Sequence, residues 1–207
     1  MTTHFVRRLA AACALATAVT MLATTTANAE DIGYRDARHD VVELTFDEND
    51  PDAVPQQSAS DVQTNVDLTR VRFGHGPRNV TIRATFVDLK RTRPIQLSAA
   101  VRTNNRRTYS VAVLAGDGVR RGILMAFGPR GRELRCGATK RIDYTADTIA
   151  VTLPRTCFDR PRWVRISAAT LDFLPPAADN QTRIVADHPF ATRLTGRAAF
   201  SPRLSRG

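Results

Sequence analysis

Residues 79 to 89 read NVTIRATFVDL. Val80, Ile82, Ala84 and Phe86 fall on one side, and Thr81, Arg83 and Thr85 on the other. Apolar residues at every second position are the mark of a strand with one face against a core; a helix needs them three or four apart. The same rhythm recurs outward in both directions. IQLSAAVRT (95–103) repeats it with Ile95, Leu97, Ala99 and Val101, and RTYSVAVLA (107–115) with Tyr109, Val111 and Val113. TIAVTLP (148–154) carries Ile149, Val151 and Leu153, and WVRISAATL (163–171) carries Val164, Ile166 and Ala168. Shorter matches are VVELTF (41–46), LTRVRF (68–73) and GILMAF (122–127). About eight or nine strands are expected, with no long amphipathic helix.

The punctuation agrees. Gly74-His75-Gly76-Pro77, Gly116-Asp117-Gly118 and Gly128-Pro129-Arg130-Gly131 are turn sequences, and Pro94, Pro154 and Pro161 stand at strand boundaries. Antiparallel strands with short connections predict an all-β, two-layer sandwich, Ig-like or jelly-roll-like, with a closed barrel as the alternative. The domain is expected over residues 30–174. It includes an acidic loop at 47–63 (DENDPDAVPQQSASDVQ). Residues 175–207 lose the two-residue rhythm and read as an irregular basic tail with disordered last residues.

The chain opens MTTHFVRRLAAACALATAVTMLATTTANAED. Arg7 and Arg8, an apolar stretch from Leu9 to Ala23 and an Ala27-Asn28-Ala29 site have the layout of a secretory signal peptide over residues 1–29. The apolar run is short for a membrane span, and no later stretch is long enough for one. A leader that takes Arg7 and Arg8 and no acid lowers the formal charge from +10 to +8, with 28 basic and 20 acidic residues remaining. It also takes Cys13, so that two cysteines remain, Cys136 and Cys157. In an oxidising compartment two cysteines pair. A structural zinc site needs four ligands, and His39, His75 and His188 show no ligand spacing with them. A Cys136–Cys157 disulfide is expected.

The runs VDLTRVRFGHGPRNVTIRATFVDL and RIDYTADTIAVTLPRTCFDRPRWVRISAAT, within Val66 to Thr170, resemble a group of small exported proteins of high-GC bacteria. The resemblance implies a β-sandwich with one late cysteine pair, and export. It implies no activity.

Motifs of catalysis are absent: there is no G-x-S-x-G elbow, no H-E-x-x-H and no glycine-rich phosphate loop before a helix. Ser98, Ser110 and Ser167 lie inside strand patterns, where an outward hydroxyl is expected. His39 reads as exposed, His75 as a solvated turn residue, and His188 as a tail residue without a partner. Asp47, Glu48, Asp50 and Asp52 lie close enough in sequence to gather around Ca²⁺, but lack the EF-hand spacing, so a solvated acidic loop is the expectation. No metal or other cofactor is implied.

The positive feature is arginine. Basic residues bunch at Lys90-Arg91-Arg93, Arg106-Arg107, Arg120-Arg121, Arg130-Arg132-Arg135 and Arg160-Arg162-Arg165. Guanidinium forks bind phosphate and carboxylate in two-point geometry. Clusters in turns at one end of a sandwich would attract an anionic polymer, with Arg106, Arg107, Arg120, Arg121, Arg130 and Arg132 as candidate contacts. The abundance of Arg over Lys also follows from GC-rich coding, and the two explanations stay open. The expected function is a secreted, non-enzymatic binding or adhesion module for an anionic cell-envelope or extracellular polymer. The alternatives are a structural or protein-interaction domain, for instance with a cell-surface protein, and less favourably a secreted hydrolase.

Overall fold

The computed structural model describes residues 30–50, 52–60, 65–174, 181–190 and 199–207. The expected leader, residues 1–29, lies outside them. The chain is all-β, with two antiparallel sheets that do not close into a barrel. Among the described residues no helix is long and apolar enough to cross a membrane.

Thirteen strands are present among the described residues: β1 (Glu30–Arg35), β2 (Val42–Asp47), β3 (Gln56–Ala59), β4 (Leu68–His75), β5 (Asn79–Phe86), β6 (Ile95–Thr103), β7 (Thr108–Ala115), β8 (Ile123–Phe127), β9 (Thr139–Asp143), β10 (Thr148–Pro154), β11 (Trp163–Phe173), β12 (Gln181–Asp187) and β13 (Leu204–Ser205). One sheet has the order β1-β4-β5-β10-β9, the other β3-β2-β12-β11-β6-β7-β8, with β13 paired to the start of β11. A 3-10 turn, Arg155–Phe158, carries the chain from β10 towards β11.

Each stretch with the two-residue rhythm is a strand, and except in β8, where Ile123 is exposed, its apolar side is the inner one. On β5, Val80, Ile82, Ala84 and Phe86 are buried while Thr81 and Arg83 are exposed. Leu97 and Val101 of β6, Val111 and Val113 of β7 and Ile166 of β11 come from the other sheet and join the same core. Phe158, 1% exposed, plugs one end of the sandwich edge-on to Tyr109, with ring centroids 5.0 Å apart. Cys136 and Cys157 form the expected disulfide, with Cα atoms 5.4 Å apart, tying the loop after β8 to the 3-10 turn.

Two expectations are corrected. The stretch after residue 174 is not irregular throughout, because β12 is an interior strand between β11 and β2. Val185 and Ala186 are consecutive and both 0% exposed. Neighbours on a strand point to opposite faces, so β12 is covered on both and shows an apolar run instead of alternation. The last residues are packed: Leu204 is 1% exposed, β13 pairs with Trp163 and Val164, and the Gly207 amide donates to the His75 carbonyl at 3.2 Å. The acidic stretch 47–63 is also not loop alone, since Gln56–Ala59 lines the edge of β2 as β3. Residues 51, 61–64, 175–180 and 191–198 lie outside the described set.

Candidate functional site

The strand directions decide where each arginine cluster emerges. β6 ends, β7 begins and β8 ends at one end of the eight-stranded sheet, and β11 starts there. β4 and β10 end and β5 begins at the same end of the other sheet. The link between the two is direct: the Arg155 guanidinium, just after β10, donates to the Pro161 carbonyl, just before β11, at 2.5 Å.

Turn chemistry then points the side chains outward. In the β6–β7 turn Arg106 has φ 57°, and its amide donates to the Thr103 carbonyl at 3.0 Å, leaving Arg106 and Arg107 exposed. After β8, Gly131 takes φ +71°, a conformation that favours glycine, and the turn closes through the Gly128 amide and the Arg132 carbonyl at 2.8 Å. That turn exposes Arg130 and Arg132 beside the first, because Ser110 of β7 faces Phe127 of β8. Between the two lies an open groove of about 570 Å³ lined by Arg106, Arg107, Ser110, Phe127 and Pro129.

A third source adjoins them. Asp159 and Arg160, at φ 58° and 51°, turn the chain so that Arg160 and Arg162 face solvent, and the Arg162 amide is held by Asn104 Oδ1 at 2.8 Å. The C-terminal segment adds Arg203, stacked 4.7 Å from the Trp163 ring, and Arg206, whose amide donates to the Arg162 carbonyl. Arg78 and Arg135 are exposed at the same end. Among the described residues the acids there are Glu30, Asp31, Glu133 and Asp159. Asp31 is paired with Arg72 at 2.7 Å and Asp159 with Arg107 at 2.6 Å, and Glu30 accepts the Ser205 amide.

Arg155 is different. It is 7% exposed and donates to the Pro77 and Pro161 carbonyls, and among the described residues no carboxylate pairs with it. Burial, then the nearby Arg206 and Arg160, press its pKa below the ordinary guanidinium value. It serves as an internal clamp on the arginine-rich end.

Of the six candidate contacts, Arg106, Arg107, Arg130 and Arg132 therefore stand together, and Arg120 and Arg121 do not. The latter lie in the β7–β8 connection at the opposite end, with Asp117 in the same shallow recess. Lys90, Arg91 and Arg93 are at that opposite end too, where Lys90 pairs with Asp88 at 2.7 Å.

The histidines depart from expectation in two cases. His75 is 0% exposed, because β13 closes over its turn; its Nδ1 lies 2.9 Å from the Leu204 carbonyl, and burial lowers its pKa. His188 has a partner: Nε2 lies 3.1 Å from Ser167 Oγ, and Ser167 is 6% exposed instead of facing outward. This pair is not arranged for nucleophilic attack. The Phe190 amide donates to His188 Nδ1 at 3.1 Å, so the ring hydrogen is on Nε2 and is donated to Ser167. A general base needs its lone pair on the hydroxyl. Asp187 does not orient the ring either, since Oδ1 accepts the His188 backbone amide at 2.6 Å. His39 is exposed as expected and lies 3.4 Å from Asp67. Asp47 accepts the Asn49 amide and Glu48 accepts Thr182 Oγ1, while Asp50 and Asp52 are exposed.

Comparison with protein-family models, with characterised proteins and with solved structures gave no match to this chain. Sequence reading passed over Arg78, Arg155, Arg203 and Arg206 as contributors to the basic end. Spacing offers no signal for them, because strand order and the C-terminal return bring them there.

Proposed function

We propose that this is an exported, non-enzymatic binding module that holds an anionic polymer at the arginine-rich end of its sandwich. The observation that carries the reading is the convergence of three basic clusters, around Arg106, Arg130 and Arg160, on one end where two of the described acids, Asp31 and Asp159, are neutralised by pairing. Such a surface concentrates polyanions and gives phosphate, sulfate or carboxylate groups several guanidinium forks within one footprint. The reversed polarity of the Ser167–His188 pair supports a non-catalytic role. The disulfide and the leader-like first 29 residues support export.

The test compares equal changes of net charge at opposite ends. Arg130→Glu with Arg132→Glu should abolish retention on immobilised heparin or duplex DNA at about 50 mM salt, the low end of the range where such contacts are strong. Arg120→Glu with Arg121→Glu should retain most of it. Equal losses from the two pairs would mean that overall charge, and not a site, is responsible. N-terminal sequencing of exported material should begin at Glu30.

A further inference from the structure

The chain crosses from β1 of one sheet to β2 of the other through residues 36–41, and two further segments meet it there. Asp36 follows β1, Asp40 precedes β2, Asp67 precedes β4 and Asp187 ends β12. One carboxylate oxygen each from Asp36, Asp40 and Asp187 lies within 4.8 Å of the other two. We propose that Asp36, Asp40 and Asp187, with Asp67 beside them, form a binding site for a hard divalent cation, Ca²⁺ above all.

The scaffold is firm. The Asp36 amide donates to the Thr69 carbonyl at 3.1 Å, and Asp36 Oδ1 accepts the Ala37 amide at 3.1 Å. Asp187, 3% exposed, receives the Leu68 amide on Oδ2 at 2.7 Å and the His188 amide on Oδ1. A carboxylate oxygen has more lone pairs than these contacts use, so each can still face a cation.

The second observation is what the cluster lacks. Asp67 is 7% exposed, and its Oδ2 accepts the His39 amide at 2.9 Å, yet its Oδ1 is buried with no hydrogen-bond partner. Asp36 Oδ2 and Asp40 Oδ1 are likewise buried and unpartnered. Asp67 is near enough for its charge to oppose those of both Asp36 and Asp40. Buried oxygens left unpaired are costly, and like charges at this spacing more so, unless a positive charge stands among them. Among the described residues no Lys or Arg makes an ion pair with Asp36, Asp40, Asp67 or Asp187. Among the described residues the basic side chains that bear on Asp67 are His39, which is 67% exposed, and Arg38, whose influence is weaker. Without a cation, burial and mutual repulsion raise the carboxyl of Asp36 to about 6 and that of Asp187 to about 7.

The donor set selects the ion. It is carboxylate oxygen throughout, and both ring nitrogens of the adjacent His188 are occupied, which disfavours zinc and softer metals. Ca²⁺ accepts irregular oxygen sets completed by water, whereas Mg²⁺ demands near-ideal octahedral geometry. A bound ion would pin the crossing and, through it, the β2–β3 edge.

Calorimetric titration of chelator-treated full chain with CaCl₂ at neutral pH should show one ion per chain, and thermal unfolding should move to higher temperature with added Ca²⁺. Asp40→Asn should weaken binding by about tenfold or more, in keeping with the dependence of affinity on ligand charge. Asp187→Asn should abolish it, and if that variant does not fold, Asp36→Asn replaces it. Asp50→Asn with Asp52→Asn, in the exposed turn, should leave binding unchanged. The proposal is overturned if Ca²⁺ up to about 10 mM, beyond the weakest natural sites, gives neither heat nor a thermal shift. It is overturned equally if Asp40→Asn and Asp36→Asn bind as the parent does. Retention on polyanions is independent of either result.

Discussion

Asp172 continues the inward side of β11, in step with Val164, Ile166, Ala168 and Thr170. It is 7% exposed with Oδ1 unpartnered, and burial raises its carboxyl to about 6 from 3.8, against a weaker opposing pull from Arg93. A group whose pKa is raised by folding binds its proton more tightly in the folded chain. Its stabilising contribution is therefore complete below about pH 4 and is lost as pH rises through about 6. Asp172→Asn should raise the urea midpoint over the parent at pH 8, and the gap should close at pH 4. A gap independent of pH would contradict this. Phe86, 3% exposed, is the plainer case: Phe86→Ala should lower stability by about 3–5 kcal/mol, read from urea unfolding. Phe86 was legible through the two-residue periodicity, whereas Asp172 lies just past the stretch of β11 that the periodicity marked, 163–171. What alternation does not reveal is that an inward position can hold an acid, because the cost depends on neighbours from other strands.

β12 shows how an element escapes notice when its neighbours cover both its faces. Its loss would leave β11 and β2 each with an open edge and detach β2 and β3 from the sheet. A chain ending at Leu174 should therefore show no cooperative unfolding transition, and a truncated protein with the parent's near-ultraviolet spectrum would refute the assignment. β1, β3 and β9 were missed for another reason. They are edge or near-edge strands with few apolar residues, Ile32 and Tyr34 on β1 and Ile142 alone on β9, and backbone pairing holds them. The disulfide acts between elements. With a sequence separation of 21, it should contribute roughly 3 kcal/mol, so reduction should lower the urea midpoint by a corresponding amount.

Charge is distributed along the long axis of the sandwich. Arginine dominates the end where β4, β6, β8 and β10 finish, while Asp88, Asp117, Asp143 and Asp147 accompany the basic residues of the other. Polyanion binding through one end releases counterions in proportion to the groups neutralised, with a log–log salt slope of about −0.9 per phosphate on duplex DNA. Arg106→Glu alone should make that slope shallower by about one contact, whereas Arg120→Glu should lower affinity slightly and leave the slope unchanged. Equal slopes for both variants would argue against an oriented footprint.

Local sequence determined the strands with one wet face, their inward residues and the pairing of Cys136 with Cys157. In each case the information lies within a few neighbouring positions or in the chemistry of a residue type. Tertiary structure alone decided which turns share an end, and so separated Arg120 and Arg121 from Arg106, Arg107, Arg130 and Arg132. It also brought Asp36, Asp40, Asp67 and Asp187 together from three segments. The reason is the same for both. Strand order and direction are properties of the whole sheet, fixed by how its faces are buried, and no spacing along the chain encodes a meeting between residues 36 and 187.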